Sequence, residues 1–205
     1  MGSSLSPEEE QRLLRCIGAI DDPECAPEAL RTLQNFLQGS PVLIPQLAAA
    51  KFGLFPALVG VMEKGAELPL ATAVTSFLVS GCRPNCQAIL RVRGSTAALA
   101  GVLGRLQGAV AAGEDAEAAM VAAGAIENVC SVLLALLRYN KFAVQEELAT
   151  AETVDAVSAI AASVARRCGQ AGWDDGRDMG LQQLLQLITD LVPGSEHDER
   201  MVGSG

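Results

Sequence analysis

Aromatic residues are scarce in this sequence, and their scarcity argues against a β-sheet protein. They make up 3% of the 205 residues, although half of the chain is hydrophobic. The apolar residues are mainly Ala, Leu and Val. Small and unbranched apolar side chains suit closely packed helices, whereas strands favour aromatic and β-branched residues. The composition therefore predicts an all-α protein.

Concentrated positive charge is also lacking, which excludes most nucleic-acid-binding proteins. The net charge is −9 and the isoelectric point is about 4.6. The only basic clusters are Arg91-Val92-Arg93 and Arg166-Arg167. Proteins that bind nucleic acids neutralise phosphates with clustered Lys and Arg. We therefore expect no nucleic acid as a direct partner.

Residues for catalysis or metal binding are few. The single histidine, His197, lies in a polar C-terminal segment, so Ser-His and Cys-His pairs have no support. Cys82 and Cys86 could share one helix face, but two thiols alone do not complete a tetrahedral zinc site. No glycine-rich phosphate loop ends in Lys-Ser or Lys-Thr. The sequence predicts no enzyme activity, no cofactor and no metal site.

The six cysteines are expected to be reduced. They are Cys16, Cys25, Cys82, Cys86, Cys130 and Cys168, and most of them lie within apolar helical pattern. We see no secretory signal, which favours the cytoplasm or another reducing compartment. Packing is the better explanation of these thiols.

A helical unit occurs twice, with an offset of 41 residues. Identical residues recur at this offset, and they include the pairs Phe36/Phe77, Leu37/Leu78, Gln46/Gln87, Gly53/Gly94, Ala57/Ala98, Leu58/Leu99 and Val61/Val102. A self-match of about 40 residues with two or three helices per unit is typical of armadillo or HEAT solenoids. We expect both phenylalanines in the core, where substitution by Ala costs about 3–5 kcal/mol.

The first unit carries a more specific signature. It reads Leu33-Gln34-Asn35-Phe36, a break, an apolar helix, and then Gly53-Leu54-Phe55-Pro56-Ala57-Leu58-Val59. This run resembles the armadillo repeat. We attribute Gly53 to a steep meeting of two helices that a Cβ would obstruct. The resemblance implies a short right-handed α-solenoid of about three repeats, in which stacked helices line a concave groove.

The domain layout follows from the resemblance and from the apolar periodicity. A single helical domain over residues 6–192 is expected between a flexible segment 1–5 and a disordered tail 193–205. It comprises a cap helix 7–20, repeat one 27–64, repeat two 70–103, a degenerate repeat three 116–167 and a C-terminal helix 179–191. The middle helix of repeat one is predicted over 42–50. The Gly- and Ala-rich segment 104–117 is interpreted as an extended loop or a frayed helix end.

The segment from Ala118 to Leu137 is apolar almost all round and long enough to cross a bilayer. Glu127 and Asn128 in its middle favour a buried helix of the solenoid instead.

Candidate partner-binding residues follow from the resemblance alone. In armadillo domains a ladder of Asn residues clamps an extended peptide. That ladder matches this sequence at Asn35, its position in repeat two is Ser76, and Asn128 fits only in another register. The departure argues against clamping an extended peptide of the nuclear-import type. Asn35 as a peptide contact and Asn35 as a plain helix-surface residue are equal alternatives, and both stay open.

The N-terminus has three interpretations. Gly2 with Ser6 fits the simple myristoylation pattern. Ser6-Pro7-Glu8-Glu9-Glu10 is also a strong helix start, and Met1-Gly2-Ser3-Ser4 resembles residues left by cloning. A single acyl chain would anchor the protein only marginally.

The leading hypothesis is a non-catalytic scaffold for protein–protein interaction, which serves as a structural or assembly subunit of a larger complex. One alternative is a regulatory adaptor that binds a peptide in its groove, for which basic targets would suit the net charge. The other is a peripheral membrane protein anchored through Gly2; a membrane is expected as a partner only in that case.

Overall fold

The fold is all-helical over the residues that the structure describes. The computed structural model describes residues 5–48, 52–112, 116–148, 151–170 and 179–191. The helices in these ranges are α1 (Pro7–Ala19), α2 (Ala26–Gly39), a 3-10 helix (Pro41–Ala48), α3 (Leu54–Lys64), α4 (Leu68–Val79), α5 (Arg83–Leu90), α6 (Ser95–Ala112), α7 (Ala116–Tyr139), α8 (Lys141–Leu148), α9 (Ala151–Gln170) and α10 (Met179–Leu191). The all-α prediction is confirmed, and the described residues contain no strand.

Helix α1 begins where the sequence predicts, because its first turn is capped from both sides. The Ser6 hydroxyl accepts a hydrogen bond from the Glu9 backbone N–H, and the Glu9 carboxylate accepts one from the Ser6 N–H. This reciprocal pair is a capping box. The backbone and hydroxyl of Ser6 hold the pKa of Glu9 below its usual value. Leu13 and Ile17 then bury the apolar face of the helix.

The helices pack in two rows. In the first row α2 packs against α4, α4 against α7 and α7 against α10. In the second row α1 packs against α3, α3 against α6 and α6 against α9. Neighbours across the rows also pack together: α1 with α2, α3 with α4, α6 with α7 and α9 with α10. The core lies between the two rows and includes Leu30, Leu58, Leu78, Leu99, Val129 and Leu136, all fully buried.

Shorter helices connect the second element of each pair to the next pair. The 3-10 helix packs against α5, and α8 packs against α6 and α7. The sequence predicts an ordinary helix over 42–50, whereas the structure has a 3-10 helix ending at Ala48. Pro45, which lies inside this helix, explains the difference. A proline inside a helix lacks an N–H and its ring clashes with the preceding turn, which disfavours regular α-helix.

Two further predictions are wrong. The segment predicted as a loop or frayed end from residue 104 continues α6 as helix to Ala112. Leu106 is buried there and ties the added turn to the core. In addition, Phe77 is 38% exposed, and Phe36 is half-buried at the edge of the core. Neither ring occupies the fully buried site that the repeat pattern suggests.

The glycines of the 41-residue pairs have a conformational role. Gly53 and Gly94 precede α3 and α6 with φ of 63° and 81°. Side-chain-bearing residues rarely adopt such angles. Among the described residues no atom lies within 4 Å of a Cβ built on Gly53, so they give no support to steric obstruction between helices as the reason for this glycine. The left-handed backbone of the turn explains the glycine instead.

Helix α7 is the long apolar helix of the chain. Its segment Met120–Tyr139 is, within the described ranges, the one stretch that is long and apolar enough to cross a membrane by length and composition. More than half of the window is buried inside the protein (56%). Val129, Cys130, Val132, Leu133 and Leu136 are all fully buried.

Candidate functional site

The three residues predicted to contact a partner lie on consecutive helices of the first row. Asn35 is exposed on α2, while Ser76 on α4 and Asn128 on α7 are half-buried. Because α2, α4 and α7 pack side by side, all three occupy solvent-accessible positions on neighbouring helices. Gly2 lies outside the described residues, as does the segment 193–205.

The accessible positions of the first row form a stripe on each helix. Between residues 73 and 80 they are Ala73, Ser76 and Phe77 on α4 and Ser80 at its C-cap, and between residues 124 and 138 of α7 they are Gly124, Glu127, Asn128, Ser131, Ala135 and Arg138. The spacing of three or four residues places each set on one helix face. We call these two sets the first-row stripe. Its side chains are mostly small, so the surface is shallow and a bound chain could approach the helix backbones.

One large apolar side chain lies within that stripe. Phe77 is 38% exposed, whereas its neighbours in sequence Leu78 and Val79 are fully buried. The other large apolar residues exposed among the described ones are Leu14, Met120, Val121 and Phe142. Met120 and Val121 lie near the start of α7, whereas Phe77 lies near the C-terminal end of α4, which meets the other end of α7. Phe77 therefore lies apart from these two residues.

A cleft lies at the C-terminal ends of α4 and α7. Its volume is about 420 Å³. Its floor consists of buried apolar and thiol side chains, and its rim carries two exposed arginines and a half-buried tyrosine. The residues are Val79, Cys82 and Cys86 in the floor and Arg83, Arg138 and Tyr139 at the rim. We call this the Arg83–Arg138 cleft.

The position of Arg83 is set by an aromatic contact. The guanidinium carbon of Arg83 lies 5.7 Å from the centroid of the Tyr139 ring. At this distance a cation is attracted by the negative face of an aromatic ring. The contact orders one long side chain at the rim. Neither Arg83 nor Arg138 makes an ion pair with any residue in the described part of the chain.

Local sequence explains how α5 places Arg83 at this rim. Gly81, at φ 69°, turns the chain sharply after α4. Cys82 is the N-cap residue of α5, and Pro84 occupies its first turn, where a missing N–H costs nothing. The buried Asn85 holds α5 in place through two hydrogen bonds. Its side-chain amide donates to the Leu78 carbonyl (2.8 Å) and to the Ile44 carbonyl (3.1 Å). The second bond joins α5 to the 3-10 helix.

Two buried thiols, Cys86 in the floor and Cys130 in the core, are poor nucleophiles. Burial, and secondarily the neighbouring Cys82, raises the pKa of the Cys86 thiol. Cys86 Sγ lies 3.5 Å from the Val79 carbonyl, to which it donates. Deep in the core, burial raises the pKa of Cys130 to about 12. Thiols with raised pKa values stay protonated near neutral pH and react slowly, so they act here as packing groups.

The described residues offer little for metal chemistry. No group of three or more His, Cys, Asp or Glu in these ranges is placed to hold a metal ion. His197 lies outside them. The cleft can bind an anionic group or an apolar side chain through its rim and floor, and the described residues that line it contain no acid–base pair.

Comparison with known proteins does not assign the chain to a family. The chain matches no protein family, no curated protein and no solved structure.

Sequence reasoning missed Arg83, Arg138 and Tyr139. None of the three lies at a position for which the sequence predicts a contact, and Arg138 and Tyr139 follow the apolar segment that ends at Leu137. The two arginines are 55 positions apart in the chain (138 − 83), so only the packing of α5 against α7 brings them to one cleft. The available signal was weak: both are cations at helix boundaries in an acidic chain.

Proposed function

We propose that this chain is a non-catalytic scaffold of the armadillo-like α-solenoid type, which holds a protein partner along its first row of helices. It would serve as a structural or assembly subunit of a larger complex. The observation that carries the proposal is the first-row stripe, a set of accessible and mostly small residues on the packed helices α4 and α7 with the exposed Phe77 among them.

The order of the helices supports the solenoid part of the proposal. A short helix followed by two longer ones recurs as the 3-10 helix with α3 and α4, then as α5 with α6 and α7, then as α8 with α9 and α10. In this phase α1 and α2 form an incomplete first unit, and the first row consists of the last helix of each unit. Asn35, Ser76 and Asn128 then lie on equivalent helices, although the chemistry of an asparagine ladder is kept at two of the three.

The surface chemistry supports partner binding by shape and apolar contact. Phe77 exposes an aromatic ring among small neighbours, which is the pattern of an anchor residue at the centre of a protein interface. Substitution there should remove a partner with little effect on the fold, since the ring is only partly buried. Anchoring through Gly2 and a cytoplasmic location stay predictions.

The test compares two tagged variants with the wild-type protein in cells that express it natively. Phe77→Glu places a charge in the stripe, while Ala97→Glu places the same charge at an exposed position on α6, in the second row. Size-exclusion chromatography gives the native size of each, and quantitative mass spectrometry compares the co-purifying proteins. We expect wild type and A97E to elute far above 21.3 kDa with the same partner, and F77E to lose that partner.

Circular dichroism melts of both variants are the control for folding. A wild-type protein that elutes as a free monomer would contradict the constitutive-subunit proposal. Partners that F77E retains in full would remove the first-row stripe as the binding surface.

A further inference from the structure

The Arg83–Arg138 cleft carries a local charge opposite to that of the whole chain. The protein has 24 Asp and Glu against 15 Lys and Arg. Nevertheless, the described residues that line the cleft include two arginines and no carboxylate. Cations grouped around an apolar floor remain available to an external anion where no carboxylate of the lining neutralises them.

From this arrangement we infer that the cleft binds an acidic segment of a protein partner, in which an apolar side chain enters the floor and adjacent Asp or Glu carboxylates meet Arg83 and Arg138. This inference rests on the proposed function, since the cleft lies at the C-terminal ends of α4 and α7 in the first row. The cleft would provide one contact between the scaffold and its partner.

The rim is suited to a carboxylate. An arginine presents several N–H donors in a planar fork, which matches the two oxygens of a carboxylate. Arg83 is partly ordered by the Tyr139 ring, so less side-chain freedom is lost when a ligand binds. Arg138, one residue before Tyr139 at the end of α7, supplies the second cation.

The floor selects an apolar neighbour for that carboxylate. Val79, Cys82 and Cys86 are buried, and the raised pKa of Cys86 keeps its thiol neutral, so the floor favours an uncharged side chain. A volume of about 420 Å³ holds one or two side chains rather than a folded surface. The occupant is therefore a peptide segment with an apolar residue beside acids.

The overall charge argues for a peptide over a polyanion. A net charge of −9 repels a nucleic acid or an anionic membrane, whose charges extend well beyond two arginines. A short acidic segment can place its carboxylates at the rim without crossing the acidic remainder of the protein.

The test is a selection from a randomised peptide display library on the immobilised full-length protein. The same library is passed over the double variant R83E/R138E and over a matched control, R91E/R93E. The control has the same change in net charge at two exposed arginines that do not line the cleft. We expect wild type and R91E/R93E to enrich peptides with Asp or Glu beside an apolar residue, and R83E/R138E to lose them.

One enriched peptide is then synthesised with a fluorescent label and measured by anisotropy on the wild-type protein. Replacing its acids by Gln should weaken binding about tenfold or more, as for other hydrogen bonds to charged groups. Raising the salt concentration should weaken it further. These measurements need no variant, so they decide the question even if R83E/R138E fails to fold.

Three results would overturn the inference. Enriched peptides could be neutral or basic, or they could bind R83E/R138E as well as wild type. Alternatively, phosphatidylserine vesicles or a single-stranded oligonucleotide could bind through the arginines when no peptide does.

F77E should retain binding of the acidic peptide, because Phe77 does not line the cleft. Loss of the partner complex and loss of the acidic peptide are therefore separate outcomes.

Discussion

Residues 26–64 and 68–112 follow the same plan of a long, a short and a second long helix, and they differ in a systematic way. Their buried positions agree: the pairs Leu37/Leu78, Leu58/Leu99 and Val61/Val102 are identical and almost fully buried. Their accessible positions agree only in part: Asn35 and Ser76 differ, whereas the partly accessible Phe36 and the exposed Phe77 are identical. The shared pattern therefore reflects mainly how the helices pack in two rows.

The short helices differ most between the two regions. Pro45 inside the short helix of the first region favours a 3-10 helix there, while α5, whose proline lies in its first turn, is a regular helix in the second region. The buried Asn85 occupies the position that Ile44 has in the first region, and its amide donates to the carbonyl of Ile44 itself. The second region thus uses a polar side chain to join its short helix to the equivalent helix before it.

The largest effect is expected from truncating one pair of equivalent buried leucines, which tests whether the two regions share one core. Leu58 and Leu99 are both fully buried. Substituting either by Ala should lower the free energy of unfolding by about 2–5 kcal/mol, through lost burial and the cavity left behind. Urea denaturation followed by circular dichroism measures it.

The control for this pair is Leu14→Ala, because Leu14 is 41% exposed and its loss should cost far less. If Leu58→Ala were costly and Leu99→Ala neutral, the two regions would not contribute to one core in the same way.

A substitution of Asn85 tests the short helix, where the two regions differ most. Asn85→Ala removes two hydrogen bonds and leaves the Ile44 and Leu78 carbonyls without that donor. The loss is partly offset, because the buried Asn85 Oδ1, which has no hydrogen-bond partner in the described part of the chain, is removed as well. We expect a cost of about 2 kcal/mol in urea denaturation. Gln87→Ala, at an exposed position of the same helix, is the control and should change stability by less than about 0.5 kcal/mol.

The two turn glycines should behave alike. Gly53→Ala and Gly94→Ala each place a side chain at positive φ, which costs about 1–2 kcal/mol. At Gly94 the added Cβ would lie 3.3 Å from Glu63 Oε1, the end of an exposed side chain that can move aside, so we expect a similar cost at both positions. Gly104→Ala in α6 is the matched control: it is helical, exposed and open around the Cβ. It should stabilise the protein by about 0.5–1 kcal/mol. A neutral Gly53→Ala would mean that the turn can adopt another backbone conformation.

Sequence alone predicted the helical class and not the cleft, for a physical reason. Apolar periodicity is a local property of the sequence, so the helical class could be predicted from it. The continuation of α6 to Ala112 was missed because Gly104 and Gly108 disfavour helix locally, while the burial of Leu106 compensates for this. Arg83 and Tyr139 meet only through packing between distant helices. No local pattern encodes that contact, and composition pointed instead to an acidic surface.

The smallest expected effect concerns Phe36 and Phe77, the pair that the repeat pattern would place in the core. Both rings are partly accessible, and Phe77 is 38% exposed. Substitution by Ala should therefore cost only about 1 kcal/mol in each case, well below the roughly 3–5 kcal/mol of a buried ring. Thermal melts of both variants measure this. A cost near about 4 kcal/mol for Phe77→Ala would show that the ring is a core residue, and its exposure would no longer support partner binding. If Phe77→Ala costs little and also removes the partner complex, the two identical residues have different roles. Phe36 would pack at the edge of the core, and Phe77 would bind the partner.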